Sequence, residues 1–129
     1  MADVTVVPLP DGGAKQLHKT LMKTPRKALA FVSGDTMKSF TIEAWALVHK
    51  IIFEMPAFSG GVITGVVSIE NSDSKEIYKS EPYNENDVHK IPLDPTEPLV
   101  GVNTVKVTLN TDPLSDGTCY VTFYLRGDN

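Results

Sequence analysis

The chain has 129 residues, a formal net charge of −4 and a single cysteine. This length corresponds to one domain that can bury a core without metal ions or crosslinks. The lone cysteine excludes an internal disulfide, and no apolar stretch approaches the ~20 residues of a membrane-spanning helix. Because the N-terminus has no basic start followed by an apolar core, we expect no signal peptide, synthesis in the cytoplasm and no membrane role.

Basic residues are concentrated near the N-terminus. Residues 15–27 contain no acidic residue, although the chain has 16 of them, and they carry the basic residues Lys15, Lys19, Lys23, Arg26 and Lys27. A basic segment attached to an acidic body indicates contact with an acidic partner surface or with a neighbouring copy of the chain. The alternative is a solvated loop.

Residues 1–38 differ in pattern from the rest of the chain. Short apolar pieces alternate with prolines and glycines, and residues 14–23 are predicted to form two or three helical turns that Pro25 ends. Since this segment has too little periodic apolar surface to fold alone, we expect residues 1–38 to be an arm that lies on the body or on a partner. The remaining residues, 39–129, then form the folded domain.

From residue 40 onward the pattern is that of β-strands. Residues 45–55 alternate, with one predicted face that includes Trp45, His49 and Phe53 and is assigned to the core. A hairpin follows, in which strands 62–70 and 75–80 flank a polar turn. We further predict a short strand at 87–91, a connection punctuated by Pro92, Pro95 and Pro98, and a strand at 102–109.

The final strand has the clearest alternation. Cys119, Val121, Phe123 and Leu125 would point inward, while Tyr120 and Tyr124 are among the residues that would point outward. About six strands with turn signals between them predict an all-β fold, either an antiparallel β-sandwich or a jelly-roll-like barrel, with an extended N-terminal arm.

No set of residues matches a catalytic or cofactor site, so we expect a protein that is not an enzyme and that uses no cofactor. The three histidines are too scattered to share a metal, and His49 is predicted to be a hydrogen-bonded core or interface residue. Cys119 is expected to be a core thiol of suppressed ionisation. Asn71 and Asp73 only partly resemble a calcium loop, because Lys75 occupies the third ligand position.

Two surface features remain as candidate contact sites. The basic segment has no aromatic residue between its cations and adjoins an acidic body, so we expect no nucleic-acid binding. Tyr120 and Tyr124 form the one pair of outward aromatic residues placed to contact a ligand, such as a glycan. Cross-strand packing, or burial against another subunit, is the alternative role of this pair.

The strand order over residues 45–126, together with the terminal strand Tyr120-Val121-Thr122-Phe123-Tyr124-Leu125-Arg126, resembles small β-sandwich virion proteins of tailed bacteriophages. These proteins decorate or cement the capsid or occupy related structural positions. The resemblance implies an accessory subunit on the outer capsid, made in the host cytoplasm and located in the virion. It also implies contact with the major capsid protein or other virion subunits, and a homo-oligomer, with a trimer favoured.

The sequence therefore favours a capsid decoration or cement subunit that binds and stabilises the assembled phage head. Two alternatives stay open, namely another head–tail or tail component of a phage, and a β-sandwich module that binds glycans or a cell surface.

Overall fold

The computed structural model describes residues 4–6 and 21–127. Their secondary structure is all-β, as the sequence predicts. In chain order the strands are β1 (Val4–Val6), β2 (Leu21–Lys23), β3 (Lys27–Phe31), β4 (Met37–Met55), β5 (Thr64–Glu70), β6 (Glu76–Lys79), β7 (Tyr83–Asn84), β8 (Asp87–Leu109) and β9 (Gly117–Gly127). The described part of the chain contains no helix that could span a membrane.

The strands form one hydrogen-bonded sheet in the order β2-β9-β4-β8-β5-β6. The long strands β4 and β8 pair along almost their whole length. The second half of β4 also pairs with β9, and the second half of β8 pairs with β5. All pairings are antiparallel except that of β1, which runs parallel to the first half of β4. Each of the two long strands therefore contributes to both halves of the sheet.

The two halves of the sheet pack on each other as a β-sandwich. A Cβ atom added to Gly65 on β5 would lie 2.9 Å from the ring of Phe53 and 2.9 Å from the sulfur of Met55, although β5 does not pair with this part of β4. The Phe53 ring also contacts Tyr83 of β7, with 6.5 Å between the ring centroids. These contacts across the layers define a single shared core.

The final strand confirms the predicted alternation. Cys119, Val121, Phe123 and Leu125 are buried, while Tyr120, Tyr124 and Arg126 are partly exposed on the other face. Thr122, which belongs to the same predicted outward set, is buried. The predicted hairpin also forms, as β5 and β6. Its turn uses the side chain of Asn71, whose Oδ1 accepts hydrogen bonds from the backbone N–H groups of Asp73 and Lys75.

The prediction for β4 is correct only in its second half. Ala46 and Val48 are buried and Trp45 is exposed, but from Ile51 onward the odd-numbered residues face the core. The pairing register shifts between Val48 and Lys50 against both neighbouring strands. Against β9 the shift leaves His49 as one extra residue, so β4 contains a β-bulge there. One extra residue exchanges the two faces of a strand, and for this reason the assignment of Trp45 and His49 to the core is wrong.

The predicted connection around residues 92–98 is also wrong, because β8 continues from residue 87 to residue 109. Lys50 pairs with Pro92 and Val48 pairs with Glu97, so the four residues 93–96 lie opposite the single residue His49. Pro95 lies within this irregular stretch, and Pro92 and Pro98 lie beside it. A proline cannot donate a ladder hydrogen bond, and such irregular positions tolerate it.

Part of the predicted arm belongs to the sheet. Strands β2 and β3 pair with β9, and Leu29 and Phe31 of β3 are buried in the core. Residues 21–23, which the sequence assigned to a helix, are β-strand; the rest of that predicted helix lies outside the described residues. The buried strand β3 thus lies on the N-terminal side of the predicted boundary at residue 38.

Candidate functional site

The outer face of β9 brings Lys23 and Arg26 of the predicted basic segment close to the predicted tyrosine pair. Pairing of β2 with β9 places Lys23 opposite Tyr124, and the chain between β2 and β3 carries Arg26 to Tyr120. Lys50 of β4, which pairs with Tyr124, lies on the same face. We call this surface the cation–tyrosine face; its members are Lys23, Arg26, Lys50, Glu54, Tyr120 and Tyr124.

Arg26 is held in place by two kinds of contact. Its Nε and Nη2 donate to the two carboxylate oxygens of Glu54, at 2.8 and 2.7 Å. Its guanidinium carbon lies 3.4 Å from the ring centroid of Tyr120, as in a stacked cation–π pair. The hydrogen bonds from Arg26 hold the pKa of Glu54 below its ordinary value. Because Glu54 and Tyr120 both hold the guanidinium, Arg26 is a preorganised part of the surface.

Tyr124 is flanked by two lysines. The Nζ of Lys50 lies 4.4 Å from the ring centroid, and the Nζ of Lys23 lies 5.6 Å from it. An aromatic ring attracts cations at its faces through its quadrupole. The faces of both tyrosines are therefore near positive charge, which leaves them less open for stacking with a neutral ligand.

Two shallow recesses indent this face. One, of about 440 Å³, is lined in part by Thr118 and Tyr120. The other, of about 320 Å³, is lined in part by Lys23 and Tyr124. Arg26 and Glu54 line both recesses, so their ion pair forms the wall between them.

His49 borders the face at the bulge. Its ring meets that of Tyr124 edge to face, with the centroids 6.3 Å apart. Burial lowers its pKa, and the positive charges of Arg126 and Lys50 lower it further. His49 is half-buried and borders the cation–tyrosine face, so its assignment to the core is wrong, and the alternative that it is an interface residue stays a prediction. It is neutral at pH 7.

This shift predicts how stability depends on pH. The unfolded chain binds a proton at His49 near the ordinary pKa of about 6.5, whereas the folded chain resists it. The free energy of unfolding should therefore fall as the pH drops from about 7.5 to 5.5. The variant His49→Gln should lose less stability over this interval in urea titrations. Equal losses in the two proteins would contradict the prediction.

The remaining predicted site residues are Lys15, Lys19 and Lys27. Lys15 and Lys19 lie outside the described residues. Lys27 belongs to β3, and its Nζ lies 5.8 Å from the ring centroid of Phe40, away from the two tyrosines. The sequence did not indicate Lys50 and Glu54 as site residues. The predicted alternation does place both on the strand face opposite to Phe53, and this placement is correct.

The described residues outside this face provide little chemistry. Cys119 is buried, and burial raises its pKa to about 12, so its thiol is unreactive as a nucleophile near neutral pH. Between residues 21 and 127, as in β1, no three His, Cys, Asp or Glu side chains come close enough to hold a metal ion.

No protein-family model matches the chain, and a comparison with curated proteins also gives no match. Among solved structures it is similar to a carbohydrate-binding module of the β-sandwich superfamily, with 10% identity, a TM-score of 0.41 and coverage of 92% of this chain and 60% of the module. The VP2 subviral particle of infectious bursal disease virus gives 7% identity, a TM-score of 0.42 and coverage of 93% of this chain and 37% of VP2. A periplasmic inhibitor of g-type lysozyme, PliG from Aeromonas hydrophila, gives 14% identity, a TM-score of 0.38 and coverage of 95% and 99%.

The chain thus spans less than two thirds of the first two of these proteins. With TM-scores of 0.42 or less, the similarities assign neither a family nor a function.

Proposed function

We propose that this chain is a structural virion protein, a capsid decoration or cement subunit that binds the assembled phage head, and that it is not an enzyme. The observation that carries the proposal is the cation–tyrosine face. It joins Lys23, Arg26 and Lys50 to two tyrosines on a chain whose net charge is −4. Tyrosine and arginine are among the residues enriched at protein–protein interfaces.

The charge of this face selects the kind of partner. Lys23 and Lys50 both lie beside Tyr124. Among the described residues, the only carboxylate in contact with Arg26 or Tyr120 is that of Glu54, and Arg26 neutralises it. A surface of this kind attracts an acidic protein surface and speeds association with it. The undescribed residues Lys15 and Lys19, if they reach the same partner, would add to this attraction.

Binding of this kind gives a cement function by mass action. A subunit that binds the assembled shell, and not its separate capsid proteins, adds its binding free energy to the assembled state. Such a role needs a stable scaffold and a preorganised contact surface. The β-sandwich core supplies the first, and the Arg26–Glu54 pair on Tyr120 supplies the second.

The contacts favour this function over glycan binding. A sugar ring stacks on an open aromatic face, but the guanidinium of Arg26 covers Tyr120 at 3.4 Å and Lys50 lies 4.4 Å from the centre of Tyr124. Stacking of a sugar on either ring would have to displace these cations and lose their cation–π attraction.

A binding measurement with charge-reversed variants tests the proposal. The purified chain is mixed with phage heads assembled from the major capsid protein encoded in the same genome, and bound protein is measured by co-sedimentation. The double variant Lys23→Glu/Lys50→Glu should bind at least ~100-fold more weakly, since it places carboxylates where the acidic partner meets the face. Wild-type binding should also weaken as the salt concentration rises.

The matched control is Lys75→Glu/Lys79→Glu, which changes the net charge equally. Lys75 and Lys79 are both exposed. Lys75 lies in the turn between β5 and β6, and Lys79 is the last residue of β6, in the other half of the sheet. This control should bind as the wild type does. The absence of wild-type binding to heads, or equal loss in both double variants, would contradict the proposal. Many copies per particle would distinguish a decoration subunit from a neck or tail component, which is present in few.

A further inference from the structure

Apolar side chains are exposed on the outer face where β4 and β8 pass from one layer to the other. Trp45 is 40% exposed, Val100 is 69% exposed and Val102 is 47% exposed. Trp45 and Val100 are direct cross-strand partners, and Val102 is the next residue of β8 on the same face. We call these three residues the tryptophan patch. Contiguous exposed apolar residues of this kind mark interaction surfaces.

Opposite charges lie at the two ends of the tryptophan patch. Glu43 is two residues before Trp45 on β4 and pairs with Val102. Arg126 of β9 pairs with Leu47, two residues after Trp45. Since alternate residues of a strand share a face and each residue rises ~3.3 Å, the backbone positions of Glu43 and of Leu47, the partner of Arg126, lie at similar distances on either side of Trp45.

Arg126 has an unsatisfied group at this position. Its Nε is buried and has no hydrogen-bond partner within the described part of the chain. Among the same residues, Glu43 takes part in none of the ion pairs, which join Arg26 to Glu54, Lys38 to Asp35 and Lys106 to Glu70. Within the described residues neither Glu43 nor Arg126 is thus neutralised by an ion pair. A carboxylate and a guanidinium that meet across an interface form charge-assisted hydrogen bonds.

We propose that the tryptophan patch binds the same patch of a second copy of this chain, as a two-fold dimer. A two-fold axis that crosses the strands over Trp45 brings Arg126 near the partner's Glu43 and, by symmetry, Glu43 near the partner's Arg126. The apolar residues Trp45 and Val100 then pack at the centre. Such self-complementarity of charge is what an isologous interface requires, and it favours a second copy over an unrelated partner. The inference does not rest on the proposed function.

The oligomeric state tests this proposal directly. Wild-type protein should sediment as a dimer at micromolar concentration, and Trp45→Glu should be monomeric. Trp45 is the only tryptophan of the chain, so its fluorescence should also shift to longer wavelength as the wild type is diluted into monomers. The matched control is Val88→Glu, which changes another exposed residue of β8 and should remain a dimer.

A charge exchange tests the orientation. Glu43→Arg alone should weaken dimerisation at least tenfold, because it sets two cations against each other. The double variant Glu43→Arg/Arg126→Glu should restore it, since the opposite charges again meet across the axis. A wild-type monomer or trimer would overturn the proposal, as would a double variant that folds and stays monomeric. A monomer whose Trp45 emission shifts on lipid vesicles would assign the patch to a membrane surface instead.

Discussion

Replacing Phe31 with alanine is expected to lower the free energy of unfolding by about 3–5 kcal/mol, the usual cost of removing a fully buried phenylalanine ring. Phe31 is 1% exposed and contacts Phe58 edge to face, with the ring centroids 6.2 Å apart. It ends strand β3, where it pairs with Gly117 of β9. A Cβ at position 117 would lie 2.6 Å from the Phe58 ring, so this corner of the core is closely packed and would retain a cavity.

Urea unfolding followed by circular dichroism measures this effect, and the next residue supplies the control. Val32 is 52% exposed, and Val32→Ala should change the free energy of unfolding by less than about 0.5 kcal/mol. If Phe31→Ala unfolded at the same urea concentration as the wild type, β3 would be a dispensable arm and not a part of the core. A lower midpoint with an unchanged m-value would assign the loss to native packing.

Truncation experiments should take into account that strand β3 belongs to the core. Removing residues 1–31 would delete Leu29 and Phe31 from the core along with the pairing of β2 and β3 to β9. A test of a contact role for the N-terminal segment therefore needs a cut before residue 21, or the point substitutions of Lys23 and Lys50 described above.

Local patterns predict the strands whose alternation is uninterrupted. The last strand was correctly predicted because one residue type alternates with the other from 119 to 126 in the sequence, so a single choice of face fits every position except Thr122, which is buried on the outer face. The β5–β6 hairpin was correctly predicted because the turn carries its own chemistry in Asn71. In both cases the decisive interactions lie within a few residues along the chain.

The bulge at His49 could not be read from the alternation. Residues 45–55 are apolar or amphipathic on both faces, so alternation alone does not decide between a continuous strand and one with an extra residue. The structure selects the bulged form, which keeps Ala46 and Val48 as well as Ile51 and Phe53 in the core. This choice also exposes Trp45, and the tryptophan patch was consequently not predicted.

The cation–tyrosine face depends on pairing between residues far apart in sequence. Its tyrosines and cations were each identified as candidate contact residues, but nothing local indicates that the three-residue strand β2 pairs with residues 124–126. Thr24 helps to fix that register, because its Oγ1 accepts a hydrogen bond from the backbone N–H of Phe123 and its own N–H donates to the Phe123 carbonyl. A buried threonine acting on the backbone of a distant strand leaves no periodic signal.

Replacing Gly65 with alanine should test the packing of the two layers. The added Cβ would lie 2.9 Å from both the Phe53 ring and the Met55 sulfur, closer than real Cβ contacts. Overpacking of this kind costs about 1–3 kcal/mol of stability. The backbone of Gly65 lies in an ordinary strand that pairs with Leu109 and Tyr83, so the cost should come from the opposing layer and not from its own conformation.

A double-mutant cycle separates these causes. If the alanine collides with the ring across the sandwich, Gly65→Ala should cost less in a Phe53→Leu background, with a coupling energy of roughly 0.5–3 kcal/mol. The control background is Phe40→Leu: Phe40 is also buried but pairs with Val105, four residues along β8 from the partner of Gly65, so the cost of Gly65→Ala should be unchanged there. Equal costs in both backgrounds would mean that β5 does not pack against the second half of β4. The continuous sheet would then not close over a shared core, and both proposed contact surfaces would lose the rigid support that holds their side chains in place.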